Sequence, residues 1–330
     1  MSSARSRWLI AGAGSIGCWL GGHLAARGHA VTLLGRPRIF DAISQHGLTL
    51  TALDRPDPIL VPKESLTLQT DLTDTSDIDV VVVCVKSKDT ADLAAALAAS
   101  GLPEEAVIFS AQNGIRNPEK LAAAMPKYAV HPMVVAFNVV NLGDGRFHRG
   151  TQGVLEVESA TSAQAEQLND SGLETEVVTD IASRMWGKLL MNLSNPINAI
   201  ADVPLREQLL SRHWRSRLAA CIQEGMKVLR TAGIQPELPL PLPSSLVTRI
   251  MKLPTPLYRL VAAKSLAIDP LARSSMWEDI QASRPTEIDF INGEITALGK
   301  ELGIPTPLND EVIAEIRALE TQRGITAHHE

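Results

Sequence analysis

The sequence has few aromatic residues, few cysteines and no block of basic charge. Phe, Trp and Tyr make up 4% of the 330 residues, and 31 Lys plus Arg against 37 Asp plus Glu give a formal net charge of −6. These features argue against nucleic-acid binding, which relies on basic patches and stacking side chains. Cys18, Cys84 and Cys221 are far apart and show no C-x-x-C spacing. A disulfide framework or zinc site is therefore not expected. We expect a cytoplasmic protein with reduced thiols.

Asp, Glu, Lys and Arg are absent between Trp8 and Ala26, a length that a signal peptide or a membrane span could have. Five glycines interrupt this stretch and weaken both its helix propensity and its hydrophobicity. We therefore expect neither export nor a membrane partner. The length of 330 residues predicts two domains, and 45% hydrophobic residues suffice for a sizeable core.

A glycine-rich turn follows the first apolar run. Residues 8–11 read as a strand, the next six spell G-A-G-S-I-G, a helical pattern follows, and Ala30–Leu34 reads as a second strand. In this context G-x-G-x-x-G is the dinucleotide fingerprint. Its first glycine permits a tight turn, its second lets a pyrophosphate approach the backbone, and its third lets the helix pack closely. The helix start offers N–H groups to the phosphates. The predicted phosphate-binding residues are Gly12, Gly14, Ser15, Ile16 and Gly17.

The end of the second strand lacks an acidic residue. It reads Leu-Gly-Arg-Pro-Arg, with Arg36 placed 24 residues after Gly12. A site for NAD usually carries Asp or Glu here, whereas a guanidinium group suits the 2′-phosphate of NADP. We expect Arg36 to select NADPH/NADP+, the alternative being that it is a solvated loop residue.

Two further runs, residues 78–85 and 106–111, are almost continuously apolar, as in strands buried on both faces of a parallel sheet. Lys86 follows the first run and Asn113 follows the second. Ligands bind at the carboxyl edge of such sheets, so both are predicted site residues. Asn113 with its following glycine could equally mark only a turn. Residues 154–157 are expected to be the last strand.

Helical spacing dominates from Asp180 onward. We predict an α/β fold with a Rossmann-type doubly wound sheet, followed by an all-helical domain. The predicted domains are an NADP-binding domain at residues 1–179 and a substrate and catalytic domain at residues 180–330. Short strands are expected between Gly47 and Leu72.

The stretch 185–201 carries one charged residue, Lys188. Asn192 lies four residues and Asn195 seven residues after it, so the three share a helix face. Pro196 cannot donate to the carbonyl of Asn192 and should end or kink the helix there. A lone ammonium in apolar surroundings is costly unless partnered, which favours a functional role. The alternative is a lysine that reaches solvent beside two capping asparagines.

Thr286 and Asp289 have the spacing of a capping box, which predicts a helix with Glu287 at its first position. On that interpretation Glu287 only complements the helix dipole.

Taken together, these motifs resemble the ketopantoate reductase (2-dehydropantoate 2-reductase) family from about Trp8 to Glu320. The segments that carry the resemblance are the fingerprint with Arg36, Lys86, Asn113-Gly114, Trp186-x-Lys188-Leu189 with Asn192, Ser275-Met276, and the run from Thr286 to Gly293.

The resemblance implies reduction of 2-dehydropantoate to (R)-pantoate by NADPH, with Lys188 as general acid. It also implies that Asn113 helps to place the reacting carbonyl and the nicotinamide, and that Lys86 binds the cofactor on the nicotinamide side. Asn192 and Ser275 would bind the substrate carboxylate or hydroxyl, and Glu287 would accept from the terminal hydroxyl.

Two departures from the family pattern affect the substrate. The second asparagine of the catalytic helix usually follows the first by four residues, whereas Asn195 follows Asn192 by three. Leu205 stands where another substrate asparagine is common. Either a local irregularity restores the aim of Asn195, which is a predicted substrate ligand, or this residue does not touch the substrate. For the protein as a whole, the alternatives are a reductase of another 2-oxoacid or a non-catalytic NADPH sensor. We expect a monomer or homodimer without a metal site.

Overall fold

The computed structural model describes residues 5–239, 242–263, 266 and 272–325. The chain divides into two compact units, the first ending at Ile181 and the second beginning at Ala182. The first is a mixed α/β unit, and the regular elements described in the second are all helical. The predicted fold class is confirmed. The functions predicted for residues 1–179 and 180–330 stay predictions.

The strands of the first unit are short and mostly apolar. They are β1 (Arg7–Ala11), β2 (Ala30–Leu34), β3 (Leu48–Ala52), β4 (Arg55–Val61), β5 (Leu66–Gln69), β6 (Val80–Val83), β7 (Val107–Ser110), β8 (Ala129–Val135), β9 (Val139–Gly143), β10 (Arg146–Arg149), β11 (Leu155–Glu158) and β12 (Thr175–Val178). The helices between them are α1 (Ser15–Ala26), α2 (Pro37–His46), α3 (Thr90–Ala99), α4 (Asn117–Ala124) and α5 (Ser162–Asp170).

Eight strands form the main sheet in the order β12-β11-β8-β7-β6-β1-β2-β5. The described pairs are parallel except for β11 with β8. All four valines of β6 are buried, as expected of a strand covered on both faces. The chain runs outward from β1 to β2 and later returns to β6 on the other side of β1. This reversal creates a switch point, where open α/β sheets bind ligands.

A second sheet has the order β4-β3-β10-β9. The strands expected between Gly47 and Leu72 are present as β3, β4 and β5, but β3 pairs in parallel with β10, about a hundred residues later in the chain. The expectation that residues 154–157 form the last strand is wrong. β12 follows and pairs in parallel with β11, a contact between segments about twenty residues apart that local apolar spacing does not encode.

The second unit consists of helices joined by short connections. They are α6 (Ile181–Asn192), which starts one residue before the unit boundary, α7 (Ser194–Ala201), α8 (Leu205–Leu210), α9 (Arg212–Thr231), α10 (Ser244–Met251), α11 (Thr255–Val261), α12 (Ser275–Gln281), α13 (Asn292–Glu301) and α14 (Pro307–Gln322). The core of this unit includes Ile295 on α13 and Ile316 on α14, both fully buried.

The predicted break before Pro196 is confirmed. Helix α6 ends at Asn192, a single residue intervenes, and α7 starts at Ser194 with the proline in its first turn. Proline is tolerated there because the first N–H groups of a helix have no intrahelical acceptor.

In the part of the chain that the structure describes, no helix combines the length and apolar character needed to cross a bilayer. Nor do the described His, Cys, Asp and Glu side chains form a group of three or more that could hold a metal ion.

Candidate active site

Four neighbouring strands bring the predicted cofactor residues of the first unit to one edge of the main sheet. Their order is β7-β6-β1-β2, and the parallel pairing aligns their carboxyl ends. Asn113 follows β7, Lys86 follows β6, Gly12 follows β1, and Arg36 follows β2. Parallel pairing therefore collects residues up to about a hundred positions apart on one edge of the sheet.

The fingerprint glycines differ in what surrounds them. Gly12 has a φ of +119°, and a Cβ there would lie 2.6 Å from the backbone carbon of Cys84. A Cβ at Gly17 would lie 2.1 Å from the carbonyl oxygen of Gly12. Both positions therefore exclude a side chain. Gly14 is exposed, and a Cβ there would have nothing within 4 Å. The turn is closed toward the protein and open at Gly14, which fits a phosphate group approaching from outside.

The start of α1 supplies hydrogen-bond donors at this opening. The first intrahelical bond runs from the N–H of Cys18 to the carbonyl of Gly14, at 2.9 Å. The N–H groups of Ser15, Ile16 and Gly17 come before that bond and have no acceptor within the helix. Together with the positive end of the helix dipole, they form an arrangement suited to a pyrophosphate.

Arg36 lies outside this turn, beyond the end of β2. It is exposed and precedes Pro37, the first residue of α2. The N–H of Gly35 donates to the carbonyl of Gln69 at 3.0 Å, which anchors the backbone just before Arg36. The cation is thus placed on the β2 side of the fingerprint, where the ribose of a dinucleotide lies in this fold.

The turn that carries Asn113 rests on a buried polar network that the sequence did not predict. The carbonyl of Asn113 accepts from the Asn117 side chain at 2.6 Å and from the Ser87 hydroxyl at 3.3 Å. Asn117 also donates to the Ser87 hydroxyl at 2.8 Å. Asn117 and Ser87 are almost fully buried. The network joins the segments after β6 and β7 and fixes the backbone on which Lys86 and Asn113 are carried.

Gln112 extends this network. Its side-chain amide donates to the carbonyl of Val85 at 3.1 Å and to the Thr90 hydroxyl at 2.7 Å. Both acceptors flank Lys86, which is half-buried. The sequence feature that could have indicated this network is the polar pair Gln112-Asn113 directly after an apolar strand.

Cysteine chemistry does not belong to this edge. Cys84 follows β6 directly beneath Gly12, and burial raises the pKa of its thiol to about 12. A thiol with so high a pKa stays protonated near neutral pH and is a poor nucleophile.

In the second unit, α6 is held by close backbone packing. A Cβ at Gly187 would lie 1.8 Å from the carbonyl oxygen of Glu237. The backbone N–H of Glu237 donates to the carbonyl of Ser183 at 3.0 Å, and its carboxylate lies 3.1 Å from Arg184. A glycine next to Lys188 thus lets another segment pack directly on the helix and fixes its position.

Lys188 and Asn192 lie on the less buried face of α6. Leu189 and Leu190 point into the core, while Lys188 and Asn192 are half-buried one turn apart. The predicted shared face is therefore confirmed for Lys188 and Asn192. It is wrong for Asn195, because α6 ends at Asn192 and Asn195 lies on the next helix, α7.

Asn195 and Ser275 are brought near each other by Ser274. The Ser274 hydroxyl donates to the Asn195 carbonyl at 3.0 Å, and the Ser274 N–H donates to the Asn198 side chain at 2.9 Å. The same hydroxyl caps α12 by accepting from the N–H of Trp277 at 3.2 Å. These bonds fix the start of α12, where Ser275 is the first residue, against α7, which carries Asn195. Sequence reasoning did not identify Ser274 or Asn198.

The predicted capping box at Thr286 is wrong. A 3-10 turn, Ile288–Phe290, follows Glu287, and α13 begins only after it. Thr286 Oγ1 accepts from the first N–H of this turn at 3.4 Å, and Asp289 forms an ion pair with Arg317. Glu287 is therefore not the first residue of an α-helix. It is buried, at 8% exposure, and its side chain accepts no cap hydrogen bond from the turn.

Comparison with known proteins identifies the family. The sequence model described as ketopantoate reductase PanE/ApbA matches residues 8–162, and the model of that family's C-terminal domain matches residues 180–320. The chain belongs to the ketopantoate reductase family. It is therefore an oxidoreductase of a family that uses NAD(P)H. The finer expectations, NADPH as cofactor and 2-dehydropantoate as substrate, stay predictions.

Other proteins are similar to this ketopantoate reductase family member over nearly the whole length of both chains. The 2-dehydropantoate 2-reductase of Archaeoglobus fulgidus is 28% identical over 323 residues, which cover 94% of this chain and 97% of the relative. The crystal structure of a PanE/ApbA family ketopantoate reductase from Ralstonia eutropha has a TM-score of 0.81 at 28% identity, covering 96% and 99% of the two chains. A D-mandelate dehydrogenase solved with NADH and anilino(oxo)acetate shares the fold, with a TM-score of 0.79 at 22% identity and coverage of 97% and 100%.

Proposed function

We propose that this ketopantoate reductase family member reduces 2-dehydropantoate to (R)-pantoate with NADPH. When bound, the reduced nicotinamide supplies the hydride that is added to C2 of the substrate. Gly12, Gly14 and Gly17, with the N–H groups of Ser15 and Ile16, would hold the pyrophosphate. The open approach at Gly14 supports this assignment.

Lys188 is the proposed general acid. Its ammonium group would stabilise the developing negative charge on the C2 oxygen and then transfer a proton from Nζ to that oxygen. Its half-buried place on a helix fixed by Glu237 supports this role, because a general acid must be held in position. Asn192, one turn further along the same face, would bind the substrate carboxylate or hydroxyl.

Three other polar residues would position the substrate. Asn113 would place the reacting carbonyl, and Ser275 would bind the carboxylate or hydroxyl. Asn195 is proposed as a further substrate contact. The helix is interrupted between α6 and α7, and this irregularity would change the direction of the Asn195 side chain relative to that of Asn192.

Glu287 carries the proposal for the substrate. Glu287 is buried, at 8% exposure, and it precedes a 3-10 turn instead of starting an α-helix, so the helix-dipole role predicted for it does not apply. Its place in the run from Thr286 to Gly293, which carries the family resemblance, supports a role at the substrate. We propose that it accepts a hydrogen bond from the terminal hydroxyl of the substrate. That hydroxyl distinguishes 2-dehydropantoate from simpler 2-oxoacids.

The proposed choice of NADPH rests on Arg36. It is an exposed guanidinium beyond β2, on a connection that carries no acid. A 2′-phosphate would gain charge-assisted hydrogen bonds there, and the carboxylate that binds the ribose of NAD is missing. Lys86 would contribute at the nicotinamide side.

A second candidate is reduction of a different 2-oxoacid. Two observations favour it: the shortened spacing between Asn192 and Asn195, and the apolar Leu205 where the family often has asparagine. The N–H of Leu205 donates to the carbonyl of Ala272 at 2.9 Å, so this position has a structural contact.

An assay of NADPH oxidation over a panel of 2-oxoacids tests both candidates. We expect 2-dehydropantoate to give the highest kcat/KM. A higher value for another 2-oxoacid would establish the second candidate. Tight NADPH binding without oxidation on any substrate would contradict both and favour a sensor.

We further propose a cytoplasmic protein that acts as a monomer or homodimer on a small molecule. The three cysteines, all within the described residues, form no disulfide, which suits a reducing compartment.

A further inference from the structure

The segment that carries Glu287 is irregular, and its backbone is fixed by distant residues. Ser283, just after α12, has a positive φ of 49°, and the N–H of Arg284 turns back to the carbonyl of Asp279 at 2.8 Å. The segment then passes through the 3-10 turn and reaches α13. Because an irregular segment lacks a regular hydrogen-bond ladder, its course depends on such contacts.

A buried glutamate on α14 holds the residue before Glu287. Glu320 is 1% exposed, and one of its carboxylate oxygens accepts from the backbone N–H of Thr286 at 2.9 Å. The other oxygen accepts from Arg317 at 2.8 Å. A buried carboxylate is thus divided between a cation and a single backbone N–H next to Glu287.

Arg317 closes the arrangement on the other side of Glu287. Besides Glu320, it forms an ion pair with Asp289, two residues after Glu287. Burial opposes its charge, but the hydrogen bonds to Glu320 and Asp289 outweigh that effect, so the pKa of Arg317 is raised. The segment is therefore tied to one turn of α14 on both sides of Glu287, by the backbone N–H of Thr286 and by the side chain of Asp289.

We propose that Glu320 and Arg317 are positioning residues that fix Glu287 for the terminal hydroxyl of the substrate. This inference rests on the proposed function. Neither residue needs to touch the substrate. They act through Thr286 and Asp289 on the position of the Glu287 carboxylate. The effect therefore concerns recognition of the substrate hydroxyl and not delivery of the proton.

A matched pair of substrates isolates that effect. 2-Dehydropantoate is 4-hydroxy-3,3-dimethyl-2-oxobutanoate, and 3,3-dimethyl-2-oxobutanoate differs from it only by lacking the terminal hydroxyl. The readout is the ratio of their kcat/KM values with NADPH. A general loss of folded enzyme lowers both values equally and leaves the ratio unchanged, whereas a displaced Glu287 lowers only the first.

Three variants test the arrangement. Glu320→Ala removes both contacts and should lower the ratio by about tenfold or more, since small displacements in a positioned site have effects of this size. Glu320→Gln keeps an oxygen for the N–H of Thr286 and should recover most of the ratio. Arg317→Gln leaves the backbone contact but frees Asp289, and it should lower the ratio even if Glu320→Ala fails to fold.

The control is Glu315→Ala on the same helix. Glu315 pairs with Arg217 on α9 through two hydrogen bonds of 2.6 and 2.9 Å, and none of the contacts described for it reaches the Glu287 segment. This variant removes an ion pair of α14 and should keep the wild-type ratio.

The outcomes separate the inference from the function on which it rests. A wild-type enzyme that reduces both substrates with equal kcat/KM would overturn the proposed role of Glu287, and this inference with it. A wild-type preference for the hydroxylated substrate that survives in both Glu320→Ala and Arg317→Gln would overturn the inference alone. Loss of the preference in these variants but not in Glu315→Ala would support it.

Discussion

The substitution Gly14→Ala tests cofactor affinity separately from the stability of the protein. The backbone of Gly14 has a φ of −85° and a ψ of −165°, which an alanine adopts without strain, and an added Cβ would meet nothing within 4 Å. Gly14→Ala should therefore leave the protein folded. It should even raise the free energy of unfolding by about 0.4–1 kcal/mol, because alanine restricts the unfolded chain.

The same substitution should damage cofactor binding. If the pyrophosphate approaches the bare backbone at Gly14, a methyl group stands in its path. Overpacking of this kind costs about 1–3 kcal/mol, which is roughly a 5- to 150-fold increase in the Kd for NADPH. Stability and affinity should therefore change in opposite directions.

Denaturant unfolding of the cofactor-free protein and fluorescence titration with NADPH measure the two effects. Gly150→Ala is the matched control, since its Cβ would also meet nothing within 4 Å but the position lies outside the fingerprint. An unchanged Kd for Gly14→Ala would refute the placement of the phosphates. A large loss of stability would refute the assignment of an open position.

Two further predictions concern charge. Arg36→Ala should raise the Kd for NADPH by about 10- to 100-fold, because charge-assisted hydrogen bonds are lost, and leave the Kd for NADH nearly unchanged. Parallel titrations with both cofactors check this, with Arg38→Ala as control. Equal losses of affinity for the two cofactors would exclude a contact with the 2′-phosphate. His23, 1% exposed, has a pKa that burial lowers from 6.5 to about 4, although its hydrogen bond to the Ser171 carbonyl opposes the shift. The unfolded chain takes up the proton first, so the free energy of unfolding should fall by about 3 kcal/mol as the pH drops from about 6.5 to 4. Denaturant midpoints across this range should show that slope in the wild type and a weaker one in His23→Gln, and equal slopes would contradict the assignment.

Local patterns predicted the elements whose signal is local. The strand expected at Ala30–Leu34 has those bounds in the structure, and the helix break before Pro196 lies where the missing donor requires it. The carboxyl-edge residues Lys86 and Asn113 were predicted because parallel strands end together.

Long-range pairing is what the sequence did not reveal. Nothing in residues 48–52 indicates a partner in residues 146–149, yet these segments form the centre of the second sheet. Strand β12 likewise depends on its pairing with β11. These strands are short, and they are stabilised by pairing with neighbouring strands more than by the propensity of their own residues.

The candidate site shows the same division. Thr286 and Asp289 have the spacing of a cap, but the backbone N–H of Thr286 and the carboxylate of Asp289 have their partners on α14, which the local pattern cannot specify. The roles of Lys188 and Glu287 came from family resemblance combined with their chemistry. The structure adds the groups that hold the predicted residues in place within each unit. These are Asn117 beneath Asn113 in the first unit and Ser274 between Asn195 and Ser275 in the second.

Lys188 is proposed to donate the proton to the C2 oxygen, and pre-steady-state oxidation of NADPH by Lys188→Ala measures that step. The variant is first saturated with NADPH and then mixed with 2-dehydropantoate. We predict a reduction rate about 10²- to 10⁴-fold below that of the wild type, with an unchanged Kd for NADPH. A rate near that of the wild type would contradict the assignment and remove Lys188 from the mechanism.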